Sequence, residues 1–129
     1  MPIKKTTVLI VEDDPTLRDM YSAKFQSEGF QVLAAGNGVE GLDIARSKKP
    51  QAILLDVMMP QLDGFGALKE LRADKDFKKT PIVMLTNLGQ DEDVAKGKKL
   101  GADDYVVKAN QTPAEIVAKI KALLKKGRG

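Results

Sequence analysis

Short apolar runs of four to six residues alternate along the chain with longer segments in which apolar residues recur at helical spacing. The runs predict strands buried on both faces and the spaced segments predict helices, so the whole pattern is that of βα repeats around a parallel sheet. Strands are expected near residues 7–12, 31–35, 52–56, 82–86 and 104–107. The first helix, near 15–28, has Asp14 as its N-cap and Pro15 at its first position. Leu17, Met20, Tyr21 and Phe25 lie on one face, and Gly29 ends it. The last, near 112–126, opens on Thr112, Pro113 and Glu115, the spacing of a capping box, and carries Ile116, Val117, Ile120, Leu123 and Leu124 at packing positions. Helices between them are expected near 38–48, 64–73 and 91–100, with Asp63 capping the middle one.

No linker, repeat or low-complexity stretch divides the sequence. We therefore expect one domain over residues 1–129, with a core over about 6–126 and no DNA-binding or enzymatic output domain. The absence of cysteine excludes disulfides, zinc thiolates and thiol chemistry, and the absence of histidine removes imidazole as base, ligand or phosphate carrier. The first apolar run, Val8 to Val11, is too short for a signal peptide or a membrane span, so a cytoplasmic protein with no membrane association is expected. A net charge of +3 arises from 21 basic against 18 acidic residues, with the excess near 96–99 and 119–128. No aromatic residue interleaves those lysines, so they read as a solvated helix face and a basic tail, and no nucleic-acid partner is expected.

The chemistry lies at the ends of the apolar runs. Asp56 follows Ala52-Ile53-Leu54-Leu55, and the pair Asp13-Asp14 follows the run Val8-Leu9-Ile10-Val11. In one parallel sheet these three carboxylates converge at the C-terminal edge, where open α/β sheets bind ligands. Two carboxylates ~4 Å apart repel by roughly 4 kcal/mol at an effective dielectric of about 20, so a bound cation is expected. A carboxylate beside a divalent metal can in turn act as a nucleophile toward phosphorus. Thr86 after the fourth strand and Lys108 after the fifth add a hydroxyl donor and a fixed cation. Singly, each residue has an ordinary explanation as cap, loop, strand end or surface lysine; their convergence supplies the parts for phosphoryl transfer.

A second motif competes. Gly36-Asn37-Gly38-Val39-Glu40-Gly41 fits G-x-G-x-x-G between a strand and a helix, with Asp56 twenty residues beyond Gly36, the layout of a dinucleotide fingerprint. Yet a whole βα unit precedes it, and that reading leaves Asp13, Asp14 and Lys108 unexplained. The alternative is a turn and helix start in which Gly36 and Gly38 adopt backbone angles that other residues resist.

Taken in order, Val11-Glu12-Asp13-Asp14-Pro15, Leu54-Leu55-Asp56-Val57-Met58-Met59-Pro60, Asp63-Gly64, Met84-Leu85-Thr86, Gly101-Ala102-Asp103-Asp104-Tyr105 and Val107-Lys108 make essentially the whole chain resemble a receiver domain of the two-component response-regulator family, of the stand-alone, chemotaxis-regulator-like kind. The resemblance implies a flavodoxin-like (βα)5 fold, a three-layer α/β sandwich with sheet order 2-1-3-4-5. It implies that Asp56 accepts a phosphoryl group from the phosphohistidine of a histidine kinase or phosphotransfer protein. Asp14 and Asp56 would hold Mg2+ directly, with Mn2+ as a substitute. The backbone carbonyl of Met58 would be a third ligand, and Asp13 would act through water. Lys108 and Thr86 would meet phosphoryl oxygens. Tyr105, exposed on the last strand, would turn inward, altering a face of the fourth helix, fifth strand and fifth helix that binds a downstream protein. A monomer or weak dimer is expected.

The sequence departs from the family in two places. Ala109 replaces the proline that usually follows the lysine through a cis bond, and a non-proline cis bond costs about 3 kcal/mol, so the loop geometry should differ. Asn87 replaces the small residue that usually follows Thr86. Met58 and Leu88, which flank the phosphate position in the family, bring no general base, so a long-lived phosphoaspartate is expected. Aspartate-nucleophile phosphatases carry a second acid two residues after the nucleophile. Met58 stands there, so a multiple-turnover enzyme is not expected. A receiver-like interaction module that needs no phosphate is the other alternative.

Overall fold

The computed structural model describes residues 5–87 and 90–126. Its strands are β1 (Thr7–Val11), β2 (Gln31–Ala35), β3 (Ala52–Asp56), β4 (Ile82–Thr86) and β5 (Asp104–Val107), all parallel, in the order β2-β1-β3-β4-β5. Between and after them lie α1 (Pro15–Ser27), α2 (Gly38–Lys48), α3 (Gly64–Ala73), α4 (Asp91–Lys99) and α5 (Pro113–Lys126). This is the expected flavodoxin-like sandwich. Two short 3-10 turns, Lys75–Phe77 and Lys108–Asn110, were not expected.

Alternation along the strands divides the core in two. Leu9, Val11, Ile53, Leu55, Ile82 and Met84 pack on one face with residues of α2, α3 and α4. Val8, Ile10, Leu54, Val83, Leu85 and Val106 pack on the other with Tyr21 and Phe25 of α1 and Ile116, Val117 and Ile120 of α5. The central strands β3 and β4 are buried at every position, as a sheet covered on both faces requires.

Local chemistry sets the helix ends. Asp14 caps α1, and Asp63 caps α3 by accepting from the Gly66 N–H at 2.8 Å. At the end of α1, Gly29 takes a φ of +93°. Its N–H donates to the Gln26 carbonyl and that of Phe30 to the Phe25 carbonyl, the paired bonds of a Schellman motif, and the two phenylalanine rings meet edge-on with centroids 5.2 Å apart. Thr112 and Glu115 form the capping box of α5: the Glu115 N–H donates to Thr112 Oγ1 at 3.2 Å and the Thr112 N–H to Glu115 Oε1 at 3.0 Å.

The glycine motif serves packing. Asn37 caps α2 by accepting from the Glu40 N–H at 2.8 Å. Neither Gly36 nor Gly38 has a positive φ, so backbone freedom is not what selects glycine there. A Cβ on Gly38 would fall 2.1 Å from the Leu62 carbonyl oxygen, and one on Gly41 would fall 2.9 Å from a Val11 methyl. These glycines let α2 approach the β3–α3 loop and β1.

Candidate functional site

Parallel register places the strand ends side by side: Val11 is paired with Leu55, Asp56 with Leu85, and Thr86 with Val107. One edge of the sheet therefore carries the first residues beyond β1, the last residues of β3 and β4, and Lys108 just beyond β5. Asp56 is 1% exposed and Thr86 fully buried. Lys108, at the start of its 3-10 turn, lies with Nζ 2.7 Å from Glu12 Oε1 and 3.4 Å from Asp56 Oδ2. No cis peptide bond occurs among the described residues, so with Ala109 in place of proline the lysine still reaches the site.

The acidic residues sort differently from the expectation. Glu12, Asp13 and Asp56 each offer a carboxylate oxygen, all within 4.8 Å of one another. Asp14 borders the same cleft, but its Oδ1 accepts from the backbone N–H groups of Thr16 at 2.9 Å and Leu17 at 3.3 Å. That oxygen is taken up at the start of α1, and the residue that joins the cluster in place of Asp14 is Glu12, 1% exposed, for which no role was expected. The signal was there. Asp14-Pro15 is a complete helix-start signature, so the acid pair left over for chemistry is Glu12-Asp13.

Fully ionised, the three carboxylates against the one ammonium of Lys108 leave a formal charge of −2. Burial pushes the Asp56 pKa up to about 8, with the hydrogen bond and charge of Glu12 adding to the rise and Lys108 opposing it. For Lys108, burial favours the neutral form, but the hydrogen bond to Glu12 and the charges of Asp56 and Glu12 outweigh it and raise its pKa. The lysine stays cationic while the carboxylates remain short of positive charge. Asp56 Oδ1 is buried with no hydrogen-bond partner, an acceptor awaiting a cation or donor. Leu17, Met58 and Asn87 complete the walls of a cleft of about 270 Å³. The expectation for Leu88 lies outside the described residues. Clefts of about 260 and 360 Å³ open among residues flanking the N-terminal ends of the strands, around Phe30 and Lys49, without a comparable cluster.

Tyr105 differs from its expected state. It is buried, 9% exposed, and already turned inward, with its ring against α4. Burial pushes its phenol pKa up and the neighbouring Thr86 side chain opposes the shift, so the two residues adjoin. The inward position exists because residue 97 is glycine: a Cβ there would lie 2.9 Å from the Tyr105 ring.

The sequence profile of the response regulator receiver domain matches residues 8–121. The chain is 42% identical over 126 residues to the probable transcriptional regulator ycf27 of Cyanophora paradoxa, a match spanning 98% of this chain and 51% of that protein. It is 38% identical over 126 residues to the DNA-binding response regulator MtrA of Mycolicibacterium smegmatis, spanning 98% of this chain and 54% of the other. The chain thus spans about half the length of the curated relatives it matches. Among solved structures, the chemotaxis protein CheY4 of Vibrio cholerae superposes with a TM-score of 0.86 at 33% identity, covering 92% of this chain and 98% of that one. The receiver domain of Francisella response regulator 1452 gives a TM-score of 0.88 at 31% identity, covering 95% and 98%.

Proposed function

Because the chain belongs to the response regulator receiver domain family, we propose that it is a two-component phosphoacceptor switch that takes a phosphoryl group from a protein phosphohistidine onto Asp56. The observation that carries this reading is the buried, unpartnered Oδ1 of Asp56, set beside Glu12, Asp13 and Lys108 in an open cleft. In the transfer, an Asp56 carboxylate oxygen attacks phosphorus, the O–P bond forms as the P–N bond breaks, and the imidazole leaves with the bonding electrons. Lys108 is placed to pair with an anionic phosphoryl oxygen, and Thr86 to donate its hydroxyl to another.

The donor set suits Mg2+: the site offers oxygen atoms alone and an uncompensated negative charge. Glu12, Asp13 and Asp56 would hold the ion, with the Met58 backbone carbonyl at the same cleft. When bound, it would supply charge neutralisation at the phosphoryl oxygens. Asp14, spent as a helix cap, is left out of this set. Met58, two residues after Asp56, offers no acid or base, so the reading is of a protein that modifies itself and is not a multiple-turnover enzyme. Output would pass through the α4, β5 and α5 face to a protein partner. No helix among the described residues is long and apolar enough to cross a membrane, and a cytoplasmic location belongs to the proposal. The DNA binding named for MtrA is that of a protein about twice this length.

The test is incubation with acetyl phosphate and Mg2+ followed by intact mass measurement. One added phosphoryl group is expected, absent without metal and absent in Asp56→Asn; equal labelling of that variant would overturn the assignment. Lys108→Ala should still bind the phosphate mimic beryllofluoride but no longer transmit it. Amide shifts at Thr86 and Tyr105 identical to those of the parent would show that Lys108 does not couple the phosphoryl site to that face.

A further inference from the structure

Arg18 is the fourth residue of α1, and it works twice at the start of that helix. Its backbone N–H donates to the Asp14 carbonyl at 2.8 Å, the first helical bond. Its side chain reaches back to the end of β1, where Nη1 donates to the Glu12 carbonyl oxygen at 3.0 Å. The rest of this turn is held from other directions. The Glu12 N–H donates to the Ala35 carbonyl at 3.0 Å, and the Asp14 N–H donates to Glu12 Oε2 at 3.1 Å. Of the three residues of the turn, 12 to 14, Asp13 is the one whose side chain makes no hydrogen bond or ion pair with the described residues, and its exposed carboxylate projects from a turn fixed on either side of it. Gly36 belongs to the same arrangement: its φ is ordinary, and a Cβ there would meet Arg18 Nη1 at 3.2 Å. The missing side chain makes room for the guanidinium.

We infer that Arg18 is a positioning residue for the phosphoacceptor site, tying α1 to the Glu12-Asp13 turn and so setting both carboxylates against Asp56. The inference rests on the reading of Asp56 as phosphoacceptor given above. It means that the orientation of α1 is registered directly at the cation-binding carboxylates. A guanidinium that only braced the helix would change stability and leave the carboxylates' affinity for a cation alone.

The experiment compares the full chain with Arg18→Ala, Arg18→Lys and Gly36→Ala. Mg2+ is titrated while the amide signals of residues 12–14 and 56 are followed. Hydrogen exchange of the same amides in metal-free protein and the urea midpoint are measured alongside. Loss of a group that orients metal ligands typically weakens binding about 10-fold or more, and that loss is expected for Arg18→Ala, with faster exchange at Asp13 and Asp14. Arg18→Lys retains one donor for one carbonyl and should recover most of the affinity, while Gly36→Ala should fall between, because the added methyl displaces the guanidinium without removing it. Parent-like Mg2+ affinity in Arg18→Ala would overturn the inference whatever its stability. If that variant does not fold, Arg18→Met, which keeps the apolar stem and removes every donor, takes its place, and unchanged affinity there overturns the inference. A parent that binds no Mg2+ and takes no phosphoryl group from acetyl phosphate would overturn the function proposed above and this inference with it. A parent that does both, beside an unaffected variant, would overturn only the role of Arg18.

Discussion

α1 and α4 both start at the edge of the sheet that carries the site, one on each face, and they are held there in opposite ways. α1 has a capping carboxylate with two accepted bonds, an arginine reaching back to β1, two large buried aromatics and a glycine-terminated end closed by the Phe25–Phe30 contact. At α4 the cap residue, Gln90, makes no side-chain capping bond, the one buried residue is Gly97, and Lys96 lies over the Phe65 ring at 4.6 Å. Both helices begin at the edge that carries the site, but of the two only α1 is anchored by a buried apolar face. Elements with few buried apolar contacts come from the low-stability end of a fold and are the ones recruited to move. On the function proposed above, α1 would hold the carboxylates in place and α4 would carry the change.

The comparison breaks most visibly at Phe25, which is fully buried. Phe25→Ala should cost about 3–5 kcal/mol in urea unfolding, whereas Val94→Ala, at a half-buried position of α4, should cost far less; equal losses would erase the distinction between the helices. The next effect is one of pH. With its pKa raised by burial, Asp56 keeps its proton in the folded chain between the ordinary value of 3.8 and about 8, where the unfolded chain has lost it. The unfolded state then binds fewer protons, so the stabilising contribution is complete below 3.8 and is lost as pH rises to about 8. Metal-free protein should show a urea midpoint that falls across this window relative to Asp56→Asn, and added Mg2+ should flatten the fall. A parent and variant with parallel profiles would show that Asp56 is not the titrating group.

Gly97→Ala probes the sparsely buried helix, α4. Crowding the Tyr105 ring should cost about 1–3 kcal/mol, partly offset by up to about 1 kcal/mol of helix propensity. The ring signals of Tyr105 should shift while α1 stays unchanged. A variant more stable than the parent, with Tyr105 undisturbed, would mean that α4 stands off the sheet freely. The smallest effect sharpens the contrast: Gln90→Asp supplies the absent cap and should stabilise the fold by about 0.5–1 kcal/mol. It should also slow hydrogen exchange in the first turn of α4, which in the parent is expected to run well ahead of that in α1.

The strands were readable because a parallel sheet covered on both faces leaves continuous apolar runs, and β2 to β5 fall where those runs lie. Helix ends were readable where a side chain signs them, as at Asp14, Asp63 and Thr112. What escaped the sequence depends on neighbours distant along the chain. Whether an acid belongs to a cap or to a cation site is decided by which backbone donors it meets, and this moved the cluster from Asp13-Asp14 to Glu12-Asp13. Tyr105 looked like a surface aromatic on a last strand because nothing local reveals that Gly97, on the preceding helix, leaves its ring a seat. The glycines of residues 36–41 follow the same logic: their spacing resembles a phosphate loop, but Leu62, Val11 and Arg18 dictate them from elsewhere.

Lys108 sits largely out of solvent between two carboxylates before any phosphoryl group is present. An ammonium in bulk water would have to shed its hydration shell to meet an incoming phosphoryl oxygen, and the reaction would carry that work in its barrier. Here folding has already dehydrated and aimed the charge, so a phosphoryl group arriving at Asp56 would meet the ammonium of Lys108 with little solvent left to rearrange.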